Sequence, residues 1–163
     1  MSTAKSNETT VAAPTLSWDW ARTLLIVLAI GGLFVAGYMA WAELTGNETV
    51  CSDTGKIDCA AVQQSAYAKT IGFPVAVMGL LGYVAMLAVV VLEDQHMLLA
   101  AYGRTALIGM ALFGFIFQTY LMMIEATVLD AWCQWCVASH IIVTAMLVIG
   151  IFRWYGLVKP LRQ

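Results

Sequence analysis

Four long uncharged runs divide the chain, each bracketed by ionised side chains. Arg22 and Glu43 enclose residues 23–42 (TLLIVLAIGGLFVAGYMAWA), Lys69 and Glu93 enclose 70–92, Arg104 and Glu125 enclose 105–124, and Asp130 and Arg153 enclose 131–152. The runs hold 20, 23, 20 and 22 residues, and about 20 apolar residues in a helix cross the hydrocarbon core of a bilayer. A backbone in lipid has to satisfy its own N–H and C=O groups, so these runs are predicted to be helices rather than open strands. Buried helices of a soluble bundle would need polar faces at the helical period, and the runs show almost none. Composition agrees: 11% of the residues are charged and 61% are apolar, where a soluble domain is roughly a quarter charged. The expected fold class is an all-α integral membrane protein, a four-transmembrane-helix bundle solvated mostly by the lipid bilayer. A net charge of −2 and the lack of a basic run give no reason to expect a nucleic-acid partner.

Lysine and arginine placement predicts the orientation. With both termini cytoplasmic, that side holds Lys5, Arg22, Arg104, Arg153, Lys159 and Arg162, and the opposite side holds Lys56 and Lys69. This distribution satisfies the positive-inside rule. Trp18, Trp20, Trp41, Trp132 and Trp154 fall near span ends, where interfacial aromatic residues belong. Residues 1–17 are polar and the first apolar run is long enough to span, so that run is expected to be an anchor rather than a cleaved signal peptide. The expected organisation is a disordered cytoplasmic N-terminus (1–17), one membrane domain (18–158) and a cytoplasmic tail (159–163). The plasma (inner) membrane is the expected location, with the chain crossing it several times.

This topology constrains the four cysteines. Cys51 and Cys59 lie in the loop between the first two spans, and Cys133 and Cys136 lie where the third span hands over to the fourth. Both places are extracytoplasmic, which indicates an oxidising compartment. Cys-x7-Cys with Cys-x2-Cys is not a usual zinc spacing, so no metal site is expected. Two structural disulfides, 51–59 and one other, are an alternative. A 133–136 bridge would close a loop too short to restrict the unfolded chain much. Cys-x-x-Cys at a helix start is a poor staple and a good exchange pair. Asp130 is expected to cap that helix, placing Cys133 in its first turn, where the dipole's positive end favours the attacking thiolate.

A redox relay at a membrane surface needs an electron sink, because disulfide exchange alone only moves the bond between partners. Cys136 lies roughly 4.5 Å deeper along the fourth helix than Cys133, where a lipid-soluble quinone would meet it. His140 is one further turn down. It is either a bundle-facing histidine bonded to a carbonyl or a hydrogen-bond donor to a quinone carbonyl. Residues 57–68 (IDCAAVQQSAYA) suit a short interfacial helix in the first outer loop, capped by Asp58 and able to cover a pocket. Ser65 is either a capping or solvated serine or a quinone contact. Tyr67 and Phe73 read as interfacial packing, and Pro74 as a residue in the first turn of the second span.

The stretch CSDTGKIDCAAVQQSAYAKTIGFPVAVMG (51–79) joins Cys51-x7-Cys59 to Cys-x-x-Val-x-x-Ser-x-Tyr, then to Gly72-Phe73-Pro74 and Gly79. With the Cys-x-x-Cys heading the fourth span, it resembles the vitamin K epoxide reductase family, including its bacterial disulfide-forming members, over about residues 20–155. The resemblance implies that Cys133 and Cys136 are the active-site pair, with Cys136 facing the quinone, and that Cys51 and Cys59 shuttle electrons inward. It implies a quinone as electron acceptor (ubiquinone, menaquinone or a vitamin K type) and a thioredoxin-like periplasmic or luminal protein as donor. Many bacterial relatives carry that thioredoxin-like domain fused after the fourth helix. This sequence ends at Gln163, so the donor is expected to be separate. Animal relatives have a tyrosine at the position of His140 and an asparagine in the second span that this chain lacks. Disulfide-linked quinone reduction is thus expected, with vitamin K epoxide reduction proper as the alternative and a non-enzymatic, disulfide-stapled four-span protein as the other. In a DsbB-like oxidase the quinone-proximal Cys-x-x-Cys precedes the shuttle pair, and the order here is the reverse.

Overall fold

The computed structural model describes residues 20–52, 55–70 and 72–158. Trp18 and the two terminal segments lie outside the described residues. Four helices are long and apolar enough to cross a membrane. They are α1 (Trp20–Thr45), α3 (Val75–Leu92), α4 (Met97–Ile124, prolonged by a π-helical turn at Glu125–Leu129) and α5 (Gln134–Val158). A short α2 (Cys59–Gln64) stands between the first two, followed by a 3-10 turn at Ala66–Ala68. The chain is a multi-pass membrane protein.

The helices close a ring in which α1 packs on α3 and α5, and α4 packs on α5 and α3. Leu25, Ala29 and Ala36 of α1 meet Tyr83 and Met86 of α3, Leu107 and Ala111 of α4, and Val143 and Met146 of α5 in one core. The α1 stripe of Ala29, Gly32, Ala36 and Ala40 is buried, and small residues at that spacing let membrane helices approach closely. Gly32 is the tightest point: a Cβ there would overlap the Tyr83 ring. Large apolar side chains such as Phe34, Leu81, Phe113, Ile116 and Phe152 instead point outward, as a lipid-facing surface requires.

Several span boundaries differ from the sequence-based expectation. The second span starts at Val75 rather than near 70, because Lys69–Thr70 and Phe73–Pro74 form a small antiparallel hairpin. Gly72 takes a positive φ of 82° in its turn, which glycine adopts without a steric penalty. Pro74 therefore stands just before the helix rather than in its first turn. The third span runs well past both expected ends, from Met97 to Leu129. Asp130 does not cap the fourth helix. It is left-handed at φ 46° and closes the π turn through its own N–H on the Glu125 carbonyl, while its side chain pairs with Lys56. Gln134 then opens α5.

Candidate active site

The cysteine-bearing segments are tied together by backbone. Ile57 and Trp132 form a parallel bridge. The Trp132 N–H donates to the Lys56 carbonyl at 2.8 Å, and the Asp58 N–H donates to the Trp132 carbonyl at 3.1 Å. The two residues inside Cys-x-x-Cys reach back to the first loop as well. The Trp135 ring N–H and the Gln134 amide both donate to the Val50 carbonyl, at 3.0 and 3.2 Å. The Val50 N–H in turn donates to the Tyr38 hydroxyl at 2.9 Å. Val50 precedes Cys51, so the spacer residues of one cysteine pair position a member of the other.

Asp58 caps α2 as expected, its carboxylate accepting from the Ala61 N–H at 2.9 Å. Cys59 is consequently the first residue of that helix, and it is buried. Cys51 and Cys59 are disulfide-bonded, whereas Cys133 and Cys136 are free thiols. Cys59 and Cys133 share one small core with Val62 and Ala131, and Cys51 and Cys136 pack at its edge. All four cysteines therefore meet at one end of the bundle. The Cys136 thiol, by hydrogen bonding to Cys133, holds the Cys133 thiol below its ordinary pKa.

Cys136 also lines a cavity of about 430 Å³ enclosed by α1, α3, α4 and α5 and roofed by the α2 segment. Met39, Met86, Phe117 and Val143 supply much of its apolar wall. A few polar groups converge on it, the usual composition of a small-molecule site. The Tyr83 hydroxyl donates to the Ser139 carbonyl at 3.0 Å and lies 3.0 Å from the Ser139 hydroxyl. The Gln118 amide donates to that hydroxyl at 2.8 Å, and its carbonyl oxygen is buried without a partner. An apolar ring carrying two carbonyl oxygens, the shape and polarity of a quinone, fits these walls, and the unpartnered Gln118 oxygen suits the hydroxyl of its reduced form.

Of the two proposed binding residues, Ser65 lines the cavity. Its hydroxyl proton goes to the Val62 carbonyl at 2.7 Å, so toward the cavity the serine offers an acceptor rather than a donor. His140 is not among the wall residues. Its ring stacks on Phe115 of α4 with centroids 5.3 Å apart. Tyr67 lies at the cavity's edge, while Phe73 is exposed.

Sequence reasoning missed four residues. Tyr83, Gln118 and Ser139 were polar groups inside apolar spans, a costly placement that signals an inward-facing role. Glu125 served only as a span-end charge. It is in fact 2% exposed, and its carboxylate accepts from the Cys133 N–H at 3.0 Å, with Cys136 beside it on the same cavity wall. The π turn beginning at Glu125 is a device often found at functional sites.

The sequence pattern of the vitamin K epoxide reductase family matches residues 23–151. The chain belongs to that family. The match spans all four helices and all four cysteines, and membership makes the protein a membrane oxidoreductase of the disulfide and quinone type.

Proposed function

We propose that this vitamin K epoxide reductase family member oxidises a thioredoxin-like partner through its cysteines and passes the electrons to a quinone, in support of disulfide bond formation. The observation that carries the reading is the position of Cys136 in the cavity wall, while Cys133 shares a buried core with Cys59. Half-buried Cys51 is the more accessible member of the first pair, so a partner thiolate attacks there and releases Cys59. The Cys59 thiolate attacks Cys133 of an oxidised 133–136 pair, freeing Cys136. The partner's second thiol displaces Cys51 and the partner leaves oxidised. The Cys51 thiolate then attacks Cys59 and releases Cys133, which leaves 51–59 oxidised and 133/136 reduced, the state described above, with two electrons stored beside the cavity. A quinone accepts two electrons and two protons and leaves as the quinol.

The cysteine end faces an extracytoplasmic, oxidising compartment in this reading, and the end bearing Arg22, Arg104 and Arg153 faces the cytoplasm. The test is purified protein in detergent with a reduced thioredoxin-like protein and a panel of benzoquinones and naphthoquinones. Quinol formation is expected from the wild type and is abolished in Cys136→Ala. Cys133→Ala retains a Cys136 thiolate beside the quinone and is expected to give a coloured complex. Wild-type rates in Cys136→Ala would sink the mechanism. Disulfides that resist mild thiol, with no mixed disulfide to the partner, would point to a stapled, non-enzymatic protein.

A further inference from the structure

Glu125 lies at the junction of α4 and its π turn, in the cavity wall, with one side against the thiol pair. Among the described residues no ion pair involves it. Its carboxylate accepts from the Cys133 N–H, and Cys136 stands beside it on the same cavity wall. Burying a carboxylate without a cation is costly, and nothing in the packing of α4 calls for one at this position. A leucine or methionine would fill the space between helices without that penalty.

We propose that Glu125 is the catalytic base of the thiol pair, taking the proton of Cys136 and delivering it into the cavity. This rests on the quinone reading above. The balance closes with this chain's own groups: the two thiols lose two electrons and two protons as the Cys133–Cys136 bond forms. Glu125 takes the Cys136 proton as that sulfur becomes a nucleophile, and hands it to the acceptor's oxygen in the same cavity. Ionised again, it takes the second proton from Cys133, whose N–H it already holds, as the Cys133 sulfur attacks that of Cys136 and expels the reduced acceptor, and it passes this proton to the acceptor's second oxygen. Glu125 ends as it began, and the acceptor leaves as the quinol.

The titratable groups facing Glu125 are Cys133, just before α5, and Cys136 of α5, with Tyr83 of α3 and Glu43 of α1 also on the cavity wall. Cys59 of α2 is held in its disulfide, and the Lys56–Asp130 pair lies on the exposed surface. The Glu125 carboxyl and the Cys136 thiol line the same cavity wall, and two interacting sites titrate in coupled steps.

The test uses the full chain in detergent, in a Cys133→Ala background, with no quinone present. The pH dependence of Cys136 alkylation is expected to show two steps with Glu125 intact. In Glu125→Gln, which keeps the shape and an oxygen to accept the Cys133 N–H, one step should remain. Without the background substitution, single-turnover quinol formation in Glu125→Gln should fall about 100-fold, the lower range for loss of a general base. Glu125→Asp should restore the two-step alkylation profile in part. An unchanged alkylation profile and an unchanged turnover rate in Glu125→Gln would overturn the proposal. If wild-type protein forms no quinol from any quinone in the panel, the functional reading fails, and the alkylation profile still decides whether Glu125 is the thiol's base.

Discussion

Two carboxylates are buried at opposite ends of the same bundle, and their partners differ completely. Glu93, at the end of α3, is 4% exposed. Arg153 of α5 grips it through two nitrogens, one at 2.9 Å, and the Arg22 Nε lies 3.7 Å away. Arg22 of α1 also pairs with Asp94 and donates to the Val90 and Val91 carbonyls at 3.2 and 3.1 Å. Three helices are thereby fastened at one end, with the last carbonyls of α3 satisfied. Glu125, at the other end, is as deeply buried and meets thiols and an N–H instead of guanidinium. Burial alone therefore says little about a carboxylate's role. A charge that is neutralised in place holds helices together, and one left against a proton donor can do chemistry.

The largest expected effect tests the structural half of this contrast. Arg153→Ala would leave Glu93 buried with its main partner gone, a loss of about 3–5 kcal/mol for a broken buried pair. Thermal unfolding in detergent measures it. Replacing both members together, Arg153→Met with Glu93→Met, should recover most of that loss, because a well-packed apolar pair often matches a buried ion pair. Glu125→Gln should unfold within about 1 kcal/mol of wild type, since the amide keeps one hydrogen bond of ordinary strength. Equal destabilisation by Glu125→Gln and Arg153→Ala would erase the distinction between the two ends.

Next in size is Gly32→Ala, midway between those ends. The added methyl meets the Tyr83 ring, and overpacking of this kind costs about 1–3 kcal/mol. Moving that ring also pulls the Tyr83 hydroxyl from Ser139, so a drop in quinone affinity should accompany the lower melting temperature. A melting temperature that falls while quinone affinity stays fixed would separate the Tyr83 network from the acceptor site.

A smaller effect concerns Cys133. The Cys136 thiol is the main cause of its lowered pKa, so the Cys133 thiolate persists to lower pH than an ordinary cysteine's. Cys136→Ala removes that donor. The pH profile of Cys133 reaction with a small thiosulfonate should then move to higher pH. On the acid side of that profile the thiolate fraction, and with it the rate, falls about tenfold for every whole pH step the midpoint rises. A profile that stays in place would assign the lowering to the backbone at the head of α5 instead.

The spans were legible because a charge interrupts each hydrophobic run and hydrocarbon tolerates few alternatives to a helix. The cysteine pairs were legible because spacing and topology act together. What the sequence hid was contact between distant segments. Nothing local reveals that Gln134 and Trp135 reach Val50, or that Asp130 serves Lys56 rather than α5. Glu125 was visible, but a charge at a span's end reads as an interfacial boundary. Only the extra turn of α4, carried past Glu125 by the π segment, puts that carboxylate inside the protein beside the thiols.

The smallest expected effect belongs to His140, the residue that departs from the animal relatives' tyrosine. From sequence it was a candidate donor to a quinone carbonyl, one turn below Cys136. A helix turn holds 3.6 residues, so positions 136, 139 and 143 share a face, and those three line the cavity. His140 stands about 40° from Cys136 on the side away from Ser139, and there its ring stacks on Phe115 of α4. Its substitution should therefore be felt in packing first. His140→Ala is expected to cost about 0.5–1.5 kcal/mol for the lost aromatic pair, beyond the area it buries, with the quinone KM within twofold of wild type. His140→Phe should regain the stability with no change in KM. A several-fold rise in KM for both variants would instead give the histidine's ring nitrogens a part in holding the acceptor, and would require the α4–α5 contact to open when the quinone binds.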